Sequence, residues 1–233
     1  MTMTGDVLLF GAGGALGSAI GAHLLRDGYQ LFTAGTSRLD GAAAHTPVSY
    51  AEPCTETDLA DLPSFDAVVW AQGLNCSDSI ENFEDENMQQ MLQGNVLFIA
   101  SSLRVLLKAG KLKAGSRLAV ISSIWQLESR PGKFSYSLSK AALQGLIRSC
   151  ALDLGPRDIL INAVLPGVVD TPMTRTHLSP EKIAAITSQT ALGRLPEPKD
   201  IAAAVSFLVS PANRAITGQF LTVDAGFTSL KHI

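Results

Sequence analysis

A glycine turn near the start of the chain constrains it most. Val7–Phe10 is a short apolar run of strand length. Gly11-Ala12-Gly13-Gly14-Ala15-Leu16-Gly17 follows at once and opens an apolar helical pattern over Ala15–Asp27. Val7 to Leu25 contains no Lys, Arg, Asp or Glu, and its length approaches a membrane span. Its repeated glycines make it poor material for an isolated helix, and no Lys or Arg precedes it as a signal peptide requires. Strand, turn and helix is the better reading, and no membrane partner is expected. Glycines let a backbone turn sharply and approach a pyrophosphate, whose charge then meets the N–H groups of the helix start. The strict Gly-x-Gly-x-x-Gly pattern fails, because Leu16 stands where its third glycine belongs. The spacing Gly11, Ala15, Gly17 suits a different dinucleotide turn. A turn packed for structure alone is the plain alternative, but the strand–turn–helix context favours nucleotide binding by Gly11, Gly13, Gly14, Ala15, Leu16 and Gly17.

Beyond the turn, short apolar runs alternate with longer helical patterns, as in βαβ units and a parallel sheet. Strands are expected at Val7–Phe10, Gln30–Thr33, Ala67–Trp70, Arg117–Ile121, Leu160–Val164 and Gln219–Val223, with a weaker one near Val48–Tyr50. Helices are expected at Ala15–Asp27, Glu84–Lys108, Ser137–Leu154 and Lys199–Val209. A shorter helix should begin after Ser179, which can cap it, with Pro180 in the first turn. Glu52–Pro63 has room for one or two turns, or a loop. The expected fold class is α/β: a Rossmann-type doubly wound parallel sheet, a single domain over residues 1–233.

Composition narrows the function. Of the 233 residues, 46% are hydrophobic and 17% charged, enough for a large core and unlike disorder. A net charge of −3 provides no basic field, so no nucleic-acid partner is expected. Cys54, Cys76 and Cys150 are dispersed without a Cys-x-x-Cys, which reads as reduced thiols of a cytoplasmic protein. His23, His45, His177 and His232 lack ligand spacing, so no metal site is expected.

Tyr136 and Lys140 open an apolar helix pattern, and their spacing puts both on one helix face. A free tyrosine has a pKa near ~10, and a neighbouring ammonium favours the phenolate. The pair can therefore act as a general acid/base. An isolated Tyr-x-x-x-Lys is more often a helix start and a solvated lysine. Here Ser122 and Ser123 stand just past the strand Arg117–Ile121, at the carboxyl end where open α/β sheets bind ligands. A serine there can donate to a carbonyl oxygen as charge develops. Ser122 reads as an ordinary turn serine. Neither serine has a paired histidine or a Gly-x-Ser-x-Gly elbow, so a hydrolase is not indicated.

Taken together, these residues resemble the short-chain dehydrogenase/reductase family over nearly the whole chain. Gly11–Gly17 is similar to the family's Thr-Gly-x-x-x-Gly-x-Gly. Ser123, Tyr136 and Lys140 match its serine and Tyr-x-x-x-Lys, and Asn95 in Gly94-Asn95-Val96 matches its helix asparagine. Pro166–Met173 resembles its Pro-Gly stretch, and Ile216–Gln219 with Val223–Gly226 resembles its last strand. The resemblance implies NAD(P)(H)-dependent interconversion of a ketone and a secondary alcohol, with 3-oxoacyl thioester reduction as the leading substrate guess. It implies that Tyr136 exchanges a proton with the substrate oxygen. Lys140 lowers the tyrosine pKa and holds the nicotinamide ribose, Ser123 orients the carbonyl, and Asn95 positions a relay water. Val169 and Thr171 hold the carboxamide, and Gly73 joins the cofactor site.

The chain departs from the family in four places. Phe10 replaces the threonine before the first glycine, and Ala15 replaces the middle glycine. Trp70-Ala71-Gln72-Gly73 stands for Asn-Asn-Ala-Gly, and no aspartate follows the third strand around Tyr50-Ala51-Glu52. These bear on the adenine half of the site. The second strand ends in Thr36-Ser37-Arg38 with no carboxylate for the ribose hydroxyls, similar to NADP-using 3-oxoacyl reductases. NADP(H) is therefore favoured, with NAD(H) left open. Two rivals are a sugar-nucleotide epimerase or dehydratase and a nucleotide-binding regulator with little turnover. The helices Glu84–Lys108 and Ser137–Leu154 are apolar over much of their surface, more than one sheet face covers, which predicts a homodimer or homotetramer.

Overall fold

The computed structural model describes residues 5–228; residues 1–4 and 229–233, His232 among them, lie outside the described residues. Seven strands form one parallel sheet in the order β3-β2-β1-β4-β5-β6-β7. They are β1 (Gly5–Phe10), β2 (Tyr29–Gly35), β3 (Ala44–Pro47), β4 (Phe65–Trp70), β5 (Leu112–Ile121), β6 (Leu160–Pro166) and β7 (Phe220–Val223). The helices are α1 (Ala15–Arg26), α2 (Asp85–Leu92), α3 (Phe98–Lys108), α4 (Phe134–Leu154), α5 (Pro172–His177), α6 (Pro180–Ser188) and α7 (Pro198–Val209). This is the doubly wound Rossmann architecture that the alternating pattern predicts.

Strand side chains alternate between the two faces, so both must be apolar when both are covered. Leu8 and Phe10 of β1, Val68 and Trp70 of β4, and Leu118 and Val120 of β5 pack with Phe98, Leu103 and Leu106 of α3 and Leu143 and Ile147 of α4. Val7, Leu9, Val69 and Ala119 point the other way, to Ile20 and Leu24 of α1 and Ile201 and Val205 of α7. Ser179 caps α6 as expected, accepting a 3.4 Å hydrogen bond from the Lys182 amide. Between Tyr50 and Ala67 there is a single short helical turn, Thr57–Leu59. Among the described residues, no helix is long and apolar enough to cross a membrane.

Three expectations need correction. The third strand is Ala44–Pro47, not Val48–Tyr50. It is an edge strand that pairs with β2 alone, so it tolerates Pro47 and needs no apolar run. After the Val48 amide bonds the Gly35 carbonyl at 3.2 Å, the chain turns away. The helix expected over Glu84–Lys108 is interrupted by a π turn at Gln93–Leu97, with Asn95 buried inside it. Finally, α4 begins at Phe134 rather than Ser137, so Tyr136 lies within its first turn.

Candidate active site

At the carboxyl edge of the sheet the strand order reverses between β1 and β4. The loops there diverge and leave a crevice. Residues 11–14, 36–37 and 71–74, with Tyr50 and Gly94, line a half-open cleft. Gly11 has φ +79°, and a Cβ there would collide with the Gln72 amide nitrogen; a Cβ on Gly17 would strike the Gly11 carbonyl oxygen. Both positions demand glycine on steric grounds.

Tyr50 holds this turn from beneath. Its hydroxyl accepts a 2.8 Å hydrogen bond from the Gly11 amide and donates to the Ala34 carbonyl at 3.0 Å. Burial pushes the Tyr50 phenol up to about 12, against the opposing bond from Gly11, so it stays neutral and serves as donor and acceptor at once. Its ring meets Phe98 edge-on at 4.9 Å, and Phe98 meets Phe10 in the same way at 5.5 Å. Phe10 stacks on Trp70 at 5.8 Å and 7°. The Trp70 indole donates to Ser102 Oγ at 2.9 Å, which satisfies its buried N–H. These four rings form one continuous layer under the cleft.

A second group lies past β5. Ser123, buried, caps the turn Ile124–Gln126 by accepting from the Trp125 amide at 3.3 Å. Its hydroxyl lies near enough to the Tyr136 phenol to favour the phenolate. Burial is the stronger influence on that phenol and holds it above its ordinary value, while Ser123 pulls it down. Lys140 is buried, with its Nζ 5.7 Å from the Tyr136 ring centroid and donating to the Ile121 carbonyl at 3.2 Å. Burial without a carboxylate partner pushes Lys140 down to about 8. Asn95 Oδ1 accepts from the Leu74 amide at 2.8 Å, and Nδ2 donates to the Leu74 carbonyl at 3.1 Å and Ser139 Oγ at 3.0 Å. Ser139 Oγ in turn donates to the Tyr136 carbonyl at 2.8 Å. The π turn is thus tied both to the β4 loop and to the first turn of α4.

Known proteins resemble this chain in sequence and in fold. Residues 50–228 match the model of a family described as Enoyl-(Acyl carrier protein) reductase. The chain is 30% identical to the 3-oxoacyl-[acyl-carrier-protein] reductase of Rickettsia bellii, over 94% of this chain and 95% of that one. It is 32% identical to the cyclopentanol dehydrogenase of Comamonas testosteroni, over 75% of this chain and 70% of that one. In fold it matches the short-chain dehydrogenase/reductase from Serratia marcescens with a TM-score of 0.88, at 24% identity, covering 97% of this chain and 99% of that one. The chain belongs to the short-chain dehydrogenase/reductase family. Its Rossmann fold is the NAD(P)-binding fold of that family, and it is an oxidoreductase of that general type.

The cleft of this short-chain dehydrogenase/reductase fits a dinucleotide on its own evidence. Glycine replaces side chains where the backbone must approach. No acidic residue stands in the first turn of α1 to repel a phosphate. Gln72, on the cleft wall, is buried with both amide heteroatoms unpartnered, and so offers hydrogen bonds to a polar ligand. Gly73 leaves an opening in which a Cβ would lie 3.6 Å from Lys140 Nζ and 3.7 Å from Asn95 Oδ1.

Gly11, Gly13, Gly14, Thr36, Ser37 and Gly73 line the cleft as the sequence suggests. Ala15, Leu16 and Gly17 stand behind it in the first turn of α1. Arg38 is exposed and donates to the Ala42 carbonyl at 2.9 Å, closing its own loop. Val169 and Thr171 follow β6, outside this cleft. Val169 is buried, and Thr171 caps α5 by accepting from the Thr174 amide at 3.2 Å. Sequence reasoning missed Ala12, Tyr50, Ala71, Gln72, Leu74 and Gly94 as lining residues. Ala12, Ala71, Gln72 and Gly94 stand inside motifs that the sequence displays, and Tyr50 stands where the family's aspartate is missing, but only their neighbours were read as site residues; Leu74 carried no signal.

Proposed function

We propose that this protein interconverts a ketone and a secondary alcohol, with Tyr136 as acid/base and NADP(H) as the preferred cofactor. What carries the reading is one turn of α4, where the Tyr136 phenol has the buried Lys140 ammonium 5.7 Å from its ring centroid and Ser123 near enough to favour its phenolate. The nicotinamide, when bound, supplies or accepts the hydride. The chain's own groups handle the proton and the geometry. Tyr136 gives its proton to a ketone oxygen or takes one from an alcohol. Ser123 orients that oxygen and stabilises its developing charge. Lys140 favours the phenolate and holds the nicotinamide ribose. Asn95 has spent both amide hydrogens but keeps a lone pair on Oδ1 for a relay water. Val169 and Thr171 receive the carboxamide, and the glycine turn receives the pyrophosphate.

The NADP(H) preference rests on the end of β2. Thr36 and Ser37 face the cleft, and no carboxylate stands there to bind ribose hydroxyls or repel a 2′-phosphate. A 3-oxoacyl thioester is the favoured substrate, and a small cyclic ketone is the second reading, drawn from the likeness to cyclopentanol dehydrogenase. NADPH consumption with 3-oxoacyl thioesters, cyclopentanone and aldoses tests this. Tight dinucleotide binding without turnover on any of them would instead identify a regulator.

The working form is a homodimer or homotetramer. Leu138 and Leu152 of α4 are 40% and 79% exposed, and Leu97 beside α3 is 53% exposed. Light scattering at micromolar concentration should give a multiple of the 24.6 kDa chain mass, and a monomeric mass would refute it.

A further inference from the structure

Tyr136 has a second lysine beside its ring. Lys133, the residue before α4, precedes Tyr136 by three positions, as Lys140 follows it by four. These are the two spacings that share a helix face. Lys133 Nζ lies 5.5 Å from the Tyr136 ring centroid, and Lys140 Nζ lies 5.7 Å from it. Lys133 is also buried, which is rare for a lysine without a carboxylate in direct contact. Its ammonium donates to Asn75 Oδ1 at 2.6 Å and to the Cys76 carbonyl at 2.8 Å. Both acceptors are neutral, so neither cancels the charge. The nearby Asp78 carboxylate accepts from the Ser135 amide at 3.0 Å and from Cys76 Sγ at 3.6 Å, and without bonding Lys133 it favours the charge there.

We propose that Lys133 is a positioning residue that acts through Tyr136. It ties the loop after β4 to the start of α4, and its charge stabilises the Tyr136 phenolate from the side opposite Lys140 in sequence. The inference rests on the reading of Tyr136 as acid/base. A lysine that served only to tie the loop would not need its charge, since an amide can donate the same hydrogen bonds. In a buried site, an ammonium beside a phenol favours the phenolate over the neutral form.

The other charged or titratable groups around this face are few. The loop after β4 brings Cys76, whose thiol burial and Asp78 raise, and Asp78, which is held below the usual carboxylate range by hydrogen bonds against the cost of its burial. Arg130 precedes Lys133 and, after burial, disfavours its charge. The packed helix α2 carries Asp85 and Glu86, both exposed; β6 and the turn Ile124–Gln126 bring none.

The test is an ultraviolet phenolate titration of the whole protein. The chain has only 3 tyrosines, so subtracting the Tyr136→Phe titration isolates Tyr136. Lys133→Gln keeps hydrogen-bond donors and removes the charge, and should raise the Tyr136 midpoint by about one pH unit. Lys133→Arg should leave it in place. Asn75→Asp keeps Lys133 but sets a carboxylate on its ammonium; it should raise the midpoint as well, and serves if Lys133→Gln fails to fold. A midpoint unchanged in both Lys133→Gln and Asn75→Asp overturns the proposal. Loss or retention of turnover in Tyr136→Phe tests the acid/base reading separately.

Discussion

The Tyr50 hydroxyl bonds the Gly11 amide at 2.8 Å across a gap of 39 residues in sequence, and this contact fixes the glycine turn against the end of β2. Removing the hydroxyl in Tyr50→Phe leaves that amide only its longer 3.4 Å bond to the Ala34 carbonyl. A lost hydrogen bond of this kind costs about 0.5–1.5 kcal/mol. Tm should therefore fall by several degrees. NADPH affinity should weaken about tenfold, because the phosphate-facing loop loses its support. Differential scanning calorimetry and a fluorescence Kd check both; an unchanged Kd would show that the turn holds itself.

The end of β2 divides its three polar residues between two tasks. Thr36 and Ser37 face the cleft, while Arg38 closes its own loop onto Ala42. Thr36→Ala with Ser37→Ala should weaken NADPH binding about tenfold or more and leave NADH little changed. Arg38→Ala should have the smaller effect. Titration of each variant with both cofactors decides it, and tighter NADH than NADPH binding by the wild type would contradict the preference.

Lys140 sets function against stability. Burial lowers its pKa from 10.5 to about 8. Below pH 8 the folded protein buries an ammonium that the unfolded chain keeps solvated. Between about 8 and 10.5 the folded state sheds that proton while the unfolded state keeps it, so stability rises with pH across this window. The penalty at neutral pH is roughly 3 kcal/mol. Lys140→Met should abolish turnover and raise the Tm of the cofactor-free protein at pH 7 by roughly 5–10 °C. That gain should shrink as pH rises above 8. A gain independent of pH, or a loss at pH 7, would contradict the assignment.

Much of the fold was legible because a parallel sheet covered on both faces writes its strands as apolar runs. β1, β4, β5 and β6 are such runs. β3 is not: Ala44-His45-Thr46-Pro47 pairs on one edge only and leaves no apolar trace. The π turn was hidden because Gln93–Leu97 continues the helical pattern on either side, and only its place around Asn95 reveals it. Ser123, Tyr136 and Lys140 were legible as spacing, and the structure brings them together. Phe10 and Trp70 read as two unrelated departures from the family pattern. They are in fact one stacked pair, joined through Phe98 to Tyr50, so the change at one position belongs with the change at the other. Nothing in a linear pattern states that Tyr50 reaches the glycine turn. Lys133 stood in plain view at helix spacing, but its significance depends on burial that spacing does not report.

The proposed proton transfer depends on the Tyr136 hydroxyl, and a paired measurement on Tyr136→Phe tests it most directly. Turnover of the best substrate from the ketone panel and the Kd for NADPH are measured on the same preparation. Losing the transferable proton while keeping the ring should lower kcat by about a hundredfold or more, as removal of a general acid/base does. The Kd should remain within about threefold of wild type, because the phenol lies outside the cleft that holds the glycine turn. A variant with near-normal kcat would show that another group moves the proton and would contradict the proposed chemistry.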